Sequence, residues 1–156
     1  MKDIAPLLPG LTGATAKQRI AAAEALGKSG NPAAAGPLGA ALKDRSIPVR
    51  AAVVLALGRL DDSAAVPFLV QALEDPEPSV RAAAVAGLGR IGDPAASVPL
   101  IACLQDRNLE VRIGSAQVLG GLGDRRALES LMRVLREDPF SEVRDAASAA
   151  IKRLER

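Results

Sequence analysis

Several side chains that carry most protein chemistry are missing or scarce in this sequence of 156 residues. It has no His, no Trp and no Tyr, only two Phe (Phe68 and Phe140), and one Cys, Cys103. Without His there is no Ser-His-Asp triad, no His-activated thiol and no His-ligated metal site. One cysteine excludes an internal disulfide and fits a cytoplasmic protein. No apolar run approaches the length of a membrane span. The start, MKDIAPLLPG, is too short and too broken by Pro and Gly for a signal peptide. An excess of one charge is also lacking. Lys and Arg number 20 against 18 Asp and Glu, and the net charge of +2 is a weak field that announces neither nucleic acid nor membrane. With so few aromatics, base stacking and base flipping are disfavoured.

What is present is small and apolar. Hydrophobic residues make up 49% of the chain, mostly Ala, Val, Leu and Ile. That content argues against disorder. It predicts a thin core of closely packed elements, because small side chains fill little space.

The apolar residues recur in phase. Val-Arg followed by an Ala-rich run places Arg50, Arg81 and Arg112 at intervals of 31 residues. Arg19 stands one period earlier, and Arg144 follows after 32, which puts one extra residue near Arg136–Glu137. Asp44, Asp75, Asp106 and Asp138 each stand six residues before their arginine. Leu26, Leu57, Leu88 and Leu119 keep step, each beside a Gly, and Leu42, Leu73, Leu104 and Leu135 close the second half of each period. The expectation is one array over 1–156: a half unit 1–12, units 13–43, 44–74, 75–105 and 106–137, and a half unit 138–156.

Each unit reads as two helices. In the third, Val80, Ala83, Ala84, Leu88 and Ile91 share a helical face. Asp75-Pro76 reads as the helix entry and Gly89 with Gly92 as a left-handed exit. Asp93-Pro94 then opens a second helix whose buried stripe is Ala96, Leu100, Cys103 and Leu104. Neither helix buries its stripe alone, so stacked units must supply each other's core. The fold class is therefore all-α, a right-handed α-solenoid of stacked antiparallel helix pairs. Pro6, Pro9 and Gly10 predict a short or frayed helix in the leading half unit. That start is less well closed than the polar finish at Lys152, Arg153, Glu155 and Arg156, which leaves room for a monomer, a weak homodimer or an upstream segment.

The pattern D-P-x-x-x-V-R-x-A-A-x-x-L-G-x-[IL]-G-D-P-x-A resembles short HEAT-like repeats of the type found in phycobilisome lyase subunits. The resemblance covers nearly the whole chain. It implies a protein-binding role, with bilin attachment and DNA binding as roles of some relatives.

The sites follow from what repeats and what does not. Asp44, Arg50, Asp75, Arg81, Asp106, Arg112, Asp138 and Arg144 recur in every unit. They read as a structural ladder, Asp capping a helix and Arg bonding a neighbouring carboxylate or loop carbonyl, rather than as an anion stripe. LGGLGD at 119–124 occupies the slot of an interhelix turn and lacks the context of a phosphate loop. Asp61-Asp62 reads as a turn with a cap, and Cys103 as a small core residue. The variable positions lie on the second helices, expected to line a concave face. There Phe68, Gln71, Val98, Arg126, Glu129, Arg133 and Arg136 are the partner-binding candidates, with Phe68 as exposed apolar anchor and a basic C-terminal end. Phe140 is expected to cover the last unit's core.

The resulting expectation is a non-catalytic scaffold that binds another protein or a peptide, with no cofactor and no metal. A bilin-handling lyase-like subunit and a weak, salt-sensitive nucleic-acid binder are the alternatives. An induced visible absorbance band would single out the first, and binding at two salt concentrations the second.

Overall fold

The computed structural model describes residues 2–156. All its regular elements are helical: among the described residues there is no strand. The long first helices are α1 (Ala16–Ser29), α3 (Ile47–Leu60), α5 (Pro78–Ile91), α7 (Leu109–Leu122) and α9 (Ser141–Leu154). The shorter second helices are α2 (Ala35–Ala40), α4 (Val66–Ala72), α6 (Ser97–Cys103) and α8 (Leu128–Glu137). The chain divides into two compact units, Met1–Ile91 and Gly92–Arg156.

The second helices all begin alike. An Asn or Asp side chain accepts the amide two residues on: Asn31 from Ala33, Asp62 from Ala64, Asp93 from Ala95 and Asp124 from Arg126. A 3-10 turn of three residues follows, and the α-helix starts after it. The first helices do not start as expected. Asp44, Asp75, Asp106 and Asp138 do not cap them. Each accepts the amide two residues later, from Ser46, Glu77, Asn108 and Phe140, and so tightens the turn ahead of the helix. α7 is capped by Asn108 instead, which accepts from Glu110 and Val111. α1 has a capping box of Thr15 and Gln18, in a repeat that carries Gly13 six residues before its arginine where the others carry Asp.

In the first unit, α3 packs between α1 and α5 and against α2 and α4. Its core is Leu26, Leu38, Val49, Val53, Val54, Leu57 and Leu69, all with no exposed surface. Backbones come close because the chain places Gly there. A Cβ on Gly27 would lie 2.7 Å from Ala56 Cα, so α1 and α3 meet at main-chain contact. This is how a core nearly free of aromatics stays filled. The leading segment forms a 3-10 helix, Ala5–Thr12, packed on α1 with Ile4 buried beside it.

In the second unit, α9 packs on α7 and α8, and α6 on α7. Gly120 repeats the role of Gly27, since a Cβ there would lie 2.8 Å from Ala150 Cα. Leu100, Val111, Leu119, Leu131 and Val143 are fully buried.

Three details correct the sequence reading. Gly89 lies inside α5, and the left-handed exit belongs to Gly92 alone, at φ 70°. Cys103 is half-buried rather than a core residue. Leu135, in step with Leu42, Leu73 and Leu104, is 38% exposed. Asp61 takes the left-handed turn with φ 54°, the one non-Gly residue with positive φ among those described.

Candidate functional site

Arg19, Arg50 and Arg112 each use the guanidinium in two directions. In the first unit, Arg50 Nε and Nη2 donate to Asp75 Oδ2 and Oδ1 at 2.7 and 3.1 Å, while Nη1 donates to the carbonyl of Asp44 at 3.0 Å. Arg19 treats Asp44 and the Gly13 carbonyl in the same way. Arg81 Nη1 donates to the carbonyls of Asp75 and Pro76. In the second unit, Arg112 forks onto Asp138 at 2.7 and 3.2 Å and donates to the Asp106 carbonyl at 2.7 Å. The contact therefore reaches back six residues to a carbonyl and forward 25 or 26 to a carboxylate.

These pairs are largely enclosed. The side chains of Arg50 and Asp75 keep 12% and 8% of their surface. For Asp44, the hydrogen bond from Arg19 is the main cause holding its carboxyl below the usual range. For Asp75 and Asp138, burial pushes the carboxyl up. The arginine fork, the amide two residues on and nearby positive charge outweigh it, so both end below the usual range. Bidentate, desolvated pairs of this kind hold geometry tightly. Their forks are taken up by the protein itself.

The expected partner-binding residues are spread over second helices in both units. In the first unit, Gln71 is exposed, but Phe68 is not the free apolar anchor expected. Its ring is half-buried and fills the space above Gly39, where a Cβ would collide with it. A glycine in step with Val70 and Ile101 was the signal that the neighbouring Phe turns inward.

In the second unit, Val98 is 59% exposed, and Glu129, Arg133 and Arg136 are exposed along α8. Arg126 is exposed but engaged, donating through Nε and Nη2 to Asp124 two residues before it. That contact, first among several causes, holds the Asp124 carboxyl well below its usual range.

α8 also carries residues that sequence reasoning missed. Met132 and Leu135 are 45% and 38% exposed, and Phe140, just beyond the helix, is 46% exposed. Phe140 does not cover a core. Its ring lies over the Arg112 guanidinium, 5.7 Å from the centroid, a cation–π contact on the outside of the last rung. Beside it opens a cleft of about 400 Å³ lined by Leu104, Arg112, Arg133, Val134, Glu137 and Phe140, among others. So the structure brings Arg133 together with Phe140 and Glu137, and leaves Arg126 apart from them. The hint available in the sequence was Phe140 itself, standing where the preceding units have Glu77 and Asn108.

Among the described residues, no helix is long and apolar enough to cross a membrane. A family model of HEAT repeats matches residues 4–77 and 66–152. Among curated proteins, none matches the chain. Among solved structures, the complex of CpcE and CpcF of phycocyanin lyase from Nostoc sp. PCC7120 matches with a TM-score of 0.79 and 29% identity. The match covers 99% of this chain and 65% of that one, so the chain spans a little under two thirds of that relative. Human deoxyhypusine hydroxylase in complex with glycerol gives 0.68 at 22% identity, over 97% of this chain and 73% of that one. A designed armadillo repeat protein in complex with the peptide (KR)4 gives 0.71 at 19%, over 97% and 81%. These last two share the fold alone.

Proposed function

The chain belongs to the HEAT-repeat family, and from that premise we propose that it is a non-catalytic scaffold binding a partner protein or peptide. The observation that carries this reading is the exposed face of α8 with its cleft. Arg133, Glu137 and the ring of Phe140 border a concavity of about 400 Å³, and Met132 and Leu135 are exposed on the same helix. Exposed apolar side chains interleaved with arginines, on a rigid frame, are the composition of protein-binding surfaces. A rigid helix stack loses little freedom on docking, which favours affinity. The ladder pairs serve the frame in this reading, since their forks are already bound. Nothing in the side-chain inventory supports acid–base or nucleophilic catalysis, because His is absent and the half-buried Cys103 has no His to activate it.

A second reading has one observation in its favour. The likeness to a lyase complex at 29% identity supports an accessory role in chromophore handling, in which exposed arginines would pair with bilin propionates. Mixing the protein with a free bilin distinguishes the two. An induced visible band with a red shift supports the second reading, and an unchanged spectrum supports the scaffold.

The scaffold is tested by affinity capture from native extract with the intact chain and an Arg133→Glu, Phe140→Ser variant of equal helicity. A protein held by the first and lost from the second is the expected outcome. Equal capture by both would move the site away from α8.

A further inference from the structure

We propose that the hollow between α3 and α5 in the first unit is a second docking site, which takes one apolar side chain from an acidic segment of a partner protein. Arg59 and Arg90 at its rim receive carboxylates that flank this anchor. The inference goes beyond the α8 reading and uses none of its residues.

Two departures from the repeat meet here. Where α1 meets α3, Gly27 faces Ala56, and where α7 meets α9, Gly120 faces Ala150. Between α3 and α5 both residues are glycine, and a Cβ on Gly58 would lie 3.0 Å from Gly87 Cα. The contact thus lacks the methyl group that the other two carry. A hollow of about 160 Å³ opens beside it, lined by Leu55, Gly58, Ala86 and Gly87 together with the two arginines. The second departure is Leu55, which is 52% exposed. It stands where α1 has Glu24, α5 has Ala86 and α7 has Gln117. In α1 an anion, Glu24, precedes the cation Lys28 by one turn, whereas in α3 an exposed leucine precedes Arg59.

Charge and size select the occupant. Among the described residues, no acidic side chain lines the hollow. Arg59 is exposed and enters no ion pair among them, and Arg90 reaches Asp61 only at 4.0 Å, with both side chains 61% exposed. So long and exposed a contact contributes little, and both guanidinium groups are open to a planar carboxylate. The volume is below the roughly 300–1,000 Å³ that encloses a small-molecule ligand, and it suits one anchor side chain of a protein. An apolar floor with a cationic rim calls for an apolar, anionic complement. Two copies joined hollow to hollow would set the cationic rims against each other, because a two-fold interface pairs a patch with itself. The occupant is accordingly a different protein.

The probe is a displayed library of random dodecapeptides, selected on the Arg133→Glu, Phe140→Ser chain so that the α8 cleft does not contribute. The enriched peptides should share a Leu, Met or Phe with Asp or Glu close by in sequence. A synthetic copy of one should shift amides within 54–59 and 83–90 of the intact ¹⁵N-labelled chain. Its binding should weaken at least tenfold with Leu55→Asp, with Arg59→Glu and with Ala86→Trp, which plugs the hollow and leaves its charge alone. All three sites are exposed, and equal helicity checks the fold. Lys28→Gln should stay within twofold. No enrichment, peptides without acidic residues, shifts confined to other residues, or unchanged binding by Leu55→Asp would overturn the site. A dimer in sedimentation equilibrium that Leu55→Asp dissolves would overturn the assigned occupant in favour of a second copy. The α8 site fails separately, by equal capture with Arg133→Glu, Phe140→Ser.

Discussion

Leu104 and Leu135 hold the same place in consecutive repeats, yet one is sealed and the other is open. Leu104 keeps 1% of its surface and Leu135 38%. Arg112 and Arg144 differ in the same way. Both donate Nη1 to a carbonyl six residues back, but only Arg112 also grips a carboxylate. The repeat is not quite equal in the two: one extra residue lets α8 run on as helix through Glu137 where α6 ends at Cys103, and Val134 rather than Leu135 is the buried residue there. In a stacked array such local phase, together with the neighbour, decides whether an apolar side chain is core or surface.

The comparison can be broken most strongly at a filled rung. Arg50→Ala leaves Asp75 enclosed without its countercharge. It should cost about 3–5 kcal/mol, whereas Arg144→Ala forfeits one hydrogen bond and should cost about 1–2 kcal/mol. Urea unfolding followed by circular dichroism measures both, and equal losses would contradict the distinction. The leucines sharpen it next. Leu104→Ala should cost about 3 kcal/mol through transfer and cavity terms, and Leu135→Ala about 0.5 kcal/mol or less.

Acid reads the filled rungs together. Asp44, Asp75 and Asp138 have carboxyls held below their ordinary value of 3.8. The unfolded chain therefore takes up protons first as pH falls. The rung stability is fully present above about pH 4 and is lost below it, as pH drops through the depressed values. A denaturation midpoint followed from pH 6 to pH 2 should fall in this window, and less steeply in Arg50→Ala.

Asp61 offers a smaller change. Gly30, Gly92 and Gly123 fill its turn elsewhere. Asp61→Gly should raise stability by about 1 kcal/mol by relieving the left-handed backbone. Smallest of all is the exposed Arg126–Asp124 contact, whose arginine side chain keeps 66% of its surface. Arg126→Gln should leave the thermal midpoint unchanged within error.

The helix pairs were legible in the sequence because their markers recur: a rung Asp, an Arg six later, a Leu-Gly seven after that. Recurrence averages out local ambiguity. The expected helix entry at Asp75-Pro76 failed because an Asp three residues ahead of the first helical residue serves a turn, and spacing alone does not separate this from a cap. Phe68 failed for a different reason. Its orientation depends on Gly39, a residue in the preceding repeat whose empty Cβ position invites the ring. The α8 surface was half visible. Arg133 and Arg136 stood out because they break the repeat, while Leu135 was hidden because it keeps it.

The forward reach of the rungs also bears on how such a chain can change its length. Arg19 takes Asp44, and Arg50 takes Asp75, each 25 residues ahead. Excising residues 44–74 as a block would deliver Asp75 to Arg19, with the same offset, the same fork and the same turn behind it. No countercharge is stranded by the cut. A gene built this way can lose or duplicate a period by slippage and still encode a protein whose buried charges are matched, so repeat number becomes a variable that selection can tune.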